Sequence, residues 1–114
     1  MNTEQRVKFE ELLTKSCDEV LKQGKKIMSG IFGNGGYFCP IGAVAHINPL
    51  ADRYTIGSYS GVLSSVLGFE VSSAEMWAFA DGFDNGSCPT NHPEVYALGL
   101  RFRNKYIKSD VADK

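Results

Sequence analysis

Residues 33–48 read GNGGYFCPIGAVAHIN, a stretch that joins a glycine-rich turn to the start of an apolar segment. Pro40 suits the first turn of a helix, where its missing N–H group would have no partner in any case. Cys39 is therefore the predicted N-cap of a short buried helix over Ile41–Ile47. The small side chains in that helix allow close packing against another backbone, and the proline after Asn48 ends it.

The residues before this stretch predict a long amphipathic helix. Thr3 is the expected N-cap, apolar residues from Phe9 to Leu21 recur at helical spacing, and Gly24 ends the pattern. Cys17 lies on the apolar face, where a thiol behaves as a small hydrophobe. Two short apolar runs then flank Gly-Asn-Gly-Gly, which predicts a small β-hairpin or loop near residues 26–38.

Three more helices are predicted towards the carboxyl end. The first spans Val62–Leu67 and is closed by Gly68. The second opens with a capping box and ends near Asp81-Gly82, whose glycine is explained by turn chemistry. The third opens at Asn91-His92-Pro93, with Asn91 as its cap. The residues that support these assignments are Ser72 and Glu75 in the capping box, the core aromatics Trp77, Phe79 and Phe83, and the apolar stripe of Val95, Leu98, Phe102 and Tyr106.

Together these patterns predict a mainly α-helical fold of about five helices with a small β element. A chain of 114 residues fits a single globular domain over 1–114, with a frayed tail at 109–114. Its 43% hydrophobic content is ordinary for a soluble protein, and no run reaches the roughly 18 apolar residues that span a bilayer. The first residues lack the apolar core of a signal peptide, and an odd number of cysteines suits the reducing cytoplasm.

Charge is distributed unevenly along the chain. Lysine and arginine are absent between Arg53 and Arg101, where Glu70, Glu75, Asp81, Asp84 and Glu94 all fall, and basic residues return over 101–114. This segregation predicts one acidic and one basic surface, features that select partners. The alternative is that the last helix simply has a solvated basic face. The candidate binding residues are Tyr54, Tyr59, Asp81, Asp84, Arg101, Lys105 and Lys108.

The expected partner is another protein, with homo-oligomer formation left open and no membrane involved. Nucleic acid is disfavoured because a chain with a pI near 6.1 lacks general attraction for phosphates. The competing hypothesis is a cysteine-dependent hydrolase or transferase, in which a helix N-terminus activates Cys39 and His92 acts as the general base. His46 follows Cys39 by about 10 Å of helix and is badly placed for that role.

No metal or cofactor is expected. Cys39, His46, Cys88 and His92 have the chemistry of a zinc site, but their spacing lacks the Cys-x₂₋₄-Cys pair with which structural zinc sites usually begin. The segment DGFDNG at 81–86 resembles a calcium loop, yet Phe83 and His92 occupy two of the positions that need oxygen ligands.

Residues 36–43, GYFCPIGA, followed by Trp77, Asp81-Gly82 and a helix that opens with Pro-Glu-Val, resemble small uncharacterised bacterial and phage proteins. Those proteins carry a glycine-containing Cys-x-x-Gly-Ala stretch after an N-terminal helix. Pro40 departs from that pattern, which has a second cysteine or an apolar residue there. The resemblance implies a soluble cytoplasmic domain with no catalytic role. The predicted function is therefore a small non-enzymatic protein-binding domain, accessory or inhibitor-like, of bacterial or phage type.

Overall fold

The computed structural model describes residues 1–29, 36–48, 59–84 and 91–107, which contain five helices and two short strands. The prediction of a mainly α-helical fold with a small β element is confirmed. The predicted tail at 109–114 lies outside the described residues. In chain order the elements are α1 (Thr3–Lys22), β1 (Lys26–Ile27), β2 (Tyr37–Phe38), α2 (Pro40–Ile47), α3 (Tyr59–Leu67), α4 (Ser73–Phe83) and α5 (Pro93–Tyr106).

Helix α1 begins one residue earlier than the sequence suggested. Its N-cap is Asn2, not Thr3, because the Asn2 side chain accepts a hydrogen bond from the Gln5 backbone N–H at 2.8 Å. The Gln5 side chain in turn accepts from the Asn2 N–H at 3.0 Å, which completes a capping box. At the other end, Gly24 has a φ of 83°, the left-handed conformation that glycine adopts readily after a helix.

The two strands pair in parallel, so of the two predicted alternatives, a hairpin or a loop, the hairpin is wrong. Lys26 lies opposite Tyr37 and Ile27 opposite Phe38, and the Met28 N–H donates to the Phe38 carbonyl at 2.8 Å. A hairpin requires the chain to reverse directly between antiparallel strands. Here nine residues separate β1 from β2, and the two strands run in the same direction. Most of that connection lies outside the described residues.

The boundaries of the other helices lie within three residues of those predicted from the sequence. Helix α2 starts at Pro40, directly after the predicted cap and one residue before the predicted range, and α3 starts at Tyr59, three residues before the expected position. Helix α4 continues through Phe83 instead of ending at Asp81-Gly82. The N-cap of α5 is His92, and its side chain makes no capping hydrogen bond, so the prediction of Asn91 as the cap is wrong.

One cluster of buried apolar side chains includes residues from all five helices and both strands. At its centre the ring of Phe79 meets Phe9 edge-on at 5.6 Å and Phe102 edge-on at 5.4 Å between centroids. Such aromatic contacts stabilise a core beyond the area that they bury. The thiol of Cys17 is fully buried here, which confirms its assignment to the core.

Helices α4 and α5 touch backbone to backbone at two glycines. A Cβ atom added to Gly82 would lie 2.2 Å from the Tyr96 carbonyl oxygen, and one added to Gly99 would lie 2.2 Å from the Phe79 carbonyl oxygen. Neither glycine has the positive φ of a turn. Gly82 is therefore present for close helix packing, and its explanation by turn chemistry was wrong.

The N-terminus of α4 is held by the side chain of Glu75. Its carboxylate accepts from the Ser72 N–H at 3.0 Å, while the Ser72 hydroxyl accepts from the Glu75 N–H at 3.1 Å, the predicted capping box. The amino group of Met1 also donates to this carboxylate. Burial alone would raise the pKa of Glu75, but the hydrogen bonds from Met1 and Ser72 outweigh it and lower the pKa below its ordinary value of 4.5.

Substituting either contact glycine is expected to destabilise the fold. Gly82→Ala or Gly99→Ala places a methyl group against a backbone oxygen that cannot rotate away, which should cost about 2 kcal/mol or more. In urea unfolding, Ala97→Gly on the exposed side of α5 serves as the control and should cost only about 1 kcal/mol. An unchanged or higher stability of Gly82→Ala, the usual result for an open helical glycine, would contradict this contact.

The charge of Glu75 should make stability depend on pH. Because folding lowers the pKa of Glu75, its contribution is complete at pH values above the unfolded value and declines as pH falls below about 4.5. Glu75→Gln should therefore reduce the free energy of unfolding at pH 7 by about 1 kcal/mol or more, and by much less near pH 3. Urea unfolding of both proteins across this pH range tests the prediction, and an equal difference at both pH values would refute it.

Candidate functional site

Cys39 serves as the N-cap of α2, as its position before Pro40 predicted. Its sulfur accepts a hydrogen bond from the Gly42 N–H at 3.4 Å, and the residue is only 7% exposed. Burial raises the pKa of the Cys39 thiol from 9.0 to about 11, although the N–H groups at the helix start favour the thiolate. The helix terminus therefore does not produce an activated thiolate at neutral pH.

The two histidines occupy different environments. His46 is exposed near the end of α2, where its Nε2 atom lies 3.1 Å from Oε1 of Gln23 and its ring lies 4.8 Å from Phe38. His92 is half-buried at the N-cap of α5. Cys88, the fourth member of the nominal zinc set, lies outside the described residues. Within the described part of the chain, no three His, Cys, Asp or Glu side chains are grouped to hold a metal ion.

Helix α4 exposes one narrow stripe to solvent. Seven of its eleven residues are buried, whereas Trp77 is 51% exposed, Asp81 is half-buried and Asp84, the C-cap, is exposed. These three residues are four and three positions apart and so share one side of the helix. We call them the Trp77 stripe. The assignment of Trp77 to the core was wrong, while Asp81 and Asp84 lie together as candidate binding residues.

The helical period explains why Trp77 is outside. Phe79 and Phe83 are four residues apart and share the buried face, with exposures of 0% and 1%. Trp77 precedes Phe79 by two residues, which is more than half a helical turn, so the two rings must point in different directions. The sequence analysis assigned all three aromatics to the core of one helix without separating the two sides on which this spacing places them.

One of the basic residues predicted on the last helix, Arg101, forms an ion pair within the molecule. Arg101 donates to Glu10 of α1 at 3.1 Å, and Arg6 of α1 forms an ion pair with Glu94 of α5. The Tyr106 hydroxyl donates to Asp18 at 3.0 Å, which adds a third link between these helices. Arg101 therefore already has a charged partner within the fold.

The remaining candidate binding residues divide between the core, the surface and the part of the chain that is not described. Tyr59 begins α3 and is half-buried against the core, so packing already accounts for its ring. Lys105 is exposed, with its Nζ atom 5.1 Å from the centre of the Tyr106 ring. Tyr54 and Lys108 lie outside the described residues.

A groove lined by apolar side chains and two lysines lies where α1, the two strands and α5 meet. It encloses about 770 Å³, and its exposed apolar members Leu21, Met28 and Tyr37 are 43%, 39% and 39% exposed. We call it the lysine groove and define it by Leu21, Lys26, Met28, Tyr37, Lys105 and Tyr106. Sequence reasoning had placed Leu21 on the buried face of α1 and did not identify this surface, because it depends on the parallel pairing of β1 and β2.

Both described thiols should resist alkylation in the folded protein. Burial also raises the pKa of Cys17 far above its ordinary value, and the nearby Cys39 and Asp18 add to this effect. A Cys39 pKa near 11 instead of 9.0 means a thiolate fraction about a hundredfold smaller at pH 7. We expect iodoacetamide to label Cys17 and Cys39 at least a hundredfold more slowly in native protein than in urea, measured by peptide mass spectrometry. Rapid native labelling of Cys39 would support the cysteine-enzyme hypothesis instead.

Comparisons with known proteins do not assign the chain to a family. No protein-family model matches it, and neither curated proteins nor solved structures include a significant match. Among the helices that the structure describes, none has the combined length and apolar character needed to cross a membrane. The functional argument therefore depends on the surfaces of the chain itself.

Proposed function

We propose that the chain is a small non-enzymatic protein-binding domain, accessory or inhibitor-like, that acts in the cytoplasm of a bacterial cell or a phage host. The Trp77 stripe is its proposed contact surface. The observation that carries this proposal is the 51% exposure of Trp77 on a helix whose other aromatic side chains are buried. The resemblance of the Cys39 segment to small uncharacterised bacterial and phage proteins supports only the cytoplasmic, non-catalytic part of this proposal.

An exposed tryptophan beside acidic residues suits a protein interface. Tryptophan is enriched among the few residues that dominate binding energy, because its large ring buries much apolar area while losing little conformational freedom. Asp81 lies one helical turn from Trp77 and Asp84 almost two turns away, so negative charge borders the ring. Apolar contact at the centre with charge at the rim is the usual arrangement of such interfaces.

The chemistry of the stripe specifies the kind of partner. A complementary surface needs a pocket that accepts an indole ring and basic side chains that meet Asp81 and Asp84. Charges at the rim would accelerate association and make it sensitive to salt, while the buried ring would control dissociation. We therefore expect a basic partner surface whose binding weakens as ionic strength rises.

The thiol chemistry favours a binding role over the cysteine-enzyme alternative. A nucleophilic cysteine needs access to substrate and a lowered pKa. Cys39 is instead 7% exposed, caps α2 and has its pKa raised to about 11 by burial. These features suit a residue that is required for the start of a helix.

Removing the indole ring should abolish partner binding without unfolding the protein. Trp77→Ala deletes an exposed side chain, so the fold should be retained, whereas loss of a central interface residue should weaken affinity about 30-fold or more. Affinity capture from source cells with quantitative mass spectrometry would measure recovery of each partner by wild type, Trp77→Ala and the control Glu11→Ala. Glu11 is exposed on α1 and lies outside both named surfaces.

The capture experiment has two informative results. A partner that Glu11→Ala recovers and Trp77→Ala loses, and whose recovery falls with added salt, supports the proposal. Equal recovery by all three proteins, or no specific partner under any condition, contradicts it. Circular dichroism spectra and urea midpoints of the variants exclude unfolding as the cause of a loss.

A further inference from the structure

The Trp77 stripe and the lysine groove have opposite properties. The stripe presents the half-exposed indole of Trp77 with the carboxylates of Asp81 and Asp84, and the groove presents apolar side chains together with Lys26 and Lys105. The groove therefore offers apolar side chains to the indole and positive charge to the two carboxylates of the stripe. Complementary charge around matched apolar surfaces is the condition for specific protein association.

We propose that the Trp77 stripe of one copy binds in the lysine groove of a second copy, so that the protein associates with itself head to tail. This inference rests on the proposed function, because it uses the same binding stripe and identifies one partner for it. It also adds a consequence: a stripe that occupies another copy's groove is hidden from any different protein. Self-association and partner binding then compete for Trp77.

The dimensions of the groove are compatible with an indole ring. Its volume of about 770 Å³ lies within the range of roughly 300–1,000 Å³ that is common for binding pockets. A tryptophan side chain can bury up to about 250 Å² on docking. Leu21, Met28 and Tyr37 are each at least 39% exposed, so this contact would remove apolar surface from water on both sides.

The charges around each surface support this orientation. Lys26 and Lys105 both line the groove, while Asp18 contributes one negative charge there and accepts from the Tyr106 hydroxyl. The groove therefore remains positive overall.

On the other side, the stripe itself contributes the carboxylates of Asp81 and Asp84 at the C-terminal end of α4. Arg103 brings a positive charge to the same end of α4, where its guanidinium donates to the Phe83 carbonyl at 2.9 Å. Asp81 and Asp84 outnumber this single arginine, so two acidic side chains of one copy would meet two lysines of the other.

Because the contact joins two different surfaces, an open assembly has an unoccupied Trp77 stripe at one end and an unoccupied lysine groove at the other. Such head-to-tail contacts close into rings or continue as open chains, depending on the rotation between copies. A single helix stripe covers less area than the roughly 800 Å² per partner of a standard interface, so we expect a dissociation constant in the micromolar range or weaker. Association should therefore depend on protein concentration and on salt.

The test is a complementation experiment by sedimentation velocity. Trp77→Ala removes the stripe and keeps the groove, whereas the double variant Lys26→Glu/Lys105→Glu reverses the groove and keeps the stripe. Each variant alone should remain monomeric at concentrations where wild type forms dimers and larger species. A mixture of the two should form a one-to-one dimer and nothing larger, because only one productive contact remains. A misfolded variant could not produce this result.

Controls and salt dependence complete the test. Glu11→Ala should associate like wild type, and raising ionic strength from roughly 0.05 to 0.5 M should weaken the wild-type assembly at least several-fold. A wild-type protein that stays monomeric up to millimolar concentration, or a mixture that forms no dimer, overturns the inference. If self-association is not observed but Trp77→Ala recovers less of a different partner than wild type does in the capture experiment, the further inference is wrong and the proposed function is retained. If Trp77→Ala weakens neither self-association nor the capture of another protein, both proposals are wrong.

Discussion

The close contact between the backbones of α4 and α5 at Gly82 and Gly99 constrains the rest of the described structure. It brings Phe79 against Phe102 and fixes the rotation of α4 about its axis. With that rotation fixed, Phe79 and Phe83 must point inwards and Trp77 must point outwards. The exposed tryptophan, on which the proposed function depends, is thus a geometric consequence of a glycine contact on the opposite side of the helix.

The sequence predicts most of what depends on neighbouring residues. The Ser72–Glu75 capping box, the Cys39 cap and the left-handed glycine at 68 each involve groups within a few positions of one another. The observed cap of α1 lies one residue before the predicted cap because Asn2 and Gln5 form a second capping box. Gly82 could not be explained in this way, because its partner Gly99 lies on another helix and nothing in the local sequence distinguishes a packing glycine from a turn glycine.

The candidate site shows the same division between local and long-range effects. Asp81 and Asp84 could be placed on one surface from charge segregation alone, and the spacing of Trp77 from Phe79 contains the information that it lies beside them. The lysine groove could not be predicted, because it requires β1 and β2 to run in parallel. Local sequence gave no indication of that pairing, and Gly-Asn-Gly-Gly suggested the opposite direction. Cys39 was correctly placed at the start of a short buried helix, because the residues that flank it indicate both the cap and the apolar surroundings.

The separation of inward and outward positions on α4 has an evolutionary consequence. Buried residues such as Met76, Phe79 and Phe83 maintain the core, whereas Trp77, Asp81 and Asp84 contribute little to it. Substitutions along the outward side would therefore change the proposed contact surface without removing a side chain of the buried core cluster. Related sequences could diverge in specificity at these positions while retaining the glycine pair, which would make this helix a place where new interactions arise without loss of the scaffold.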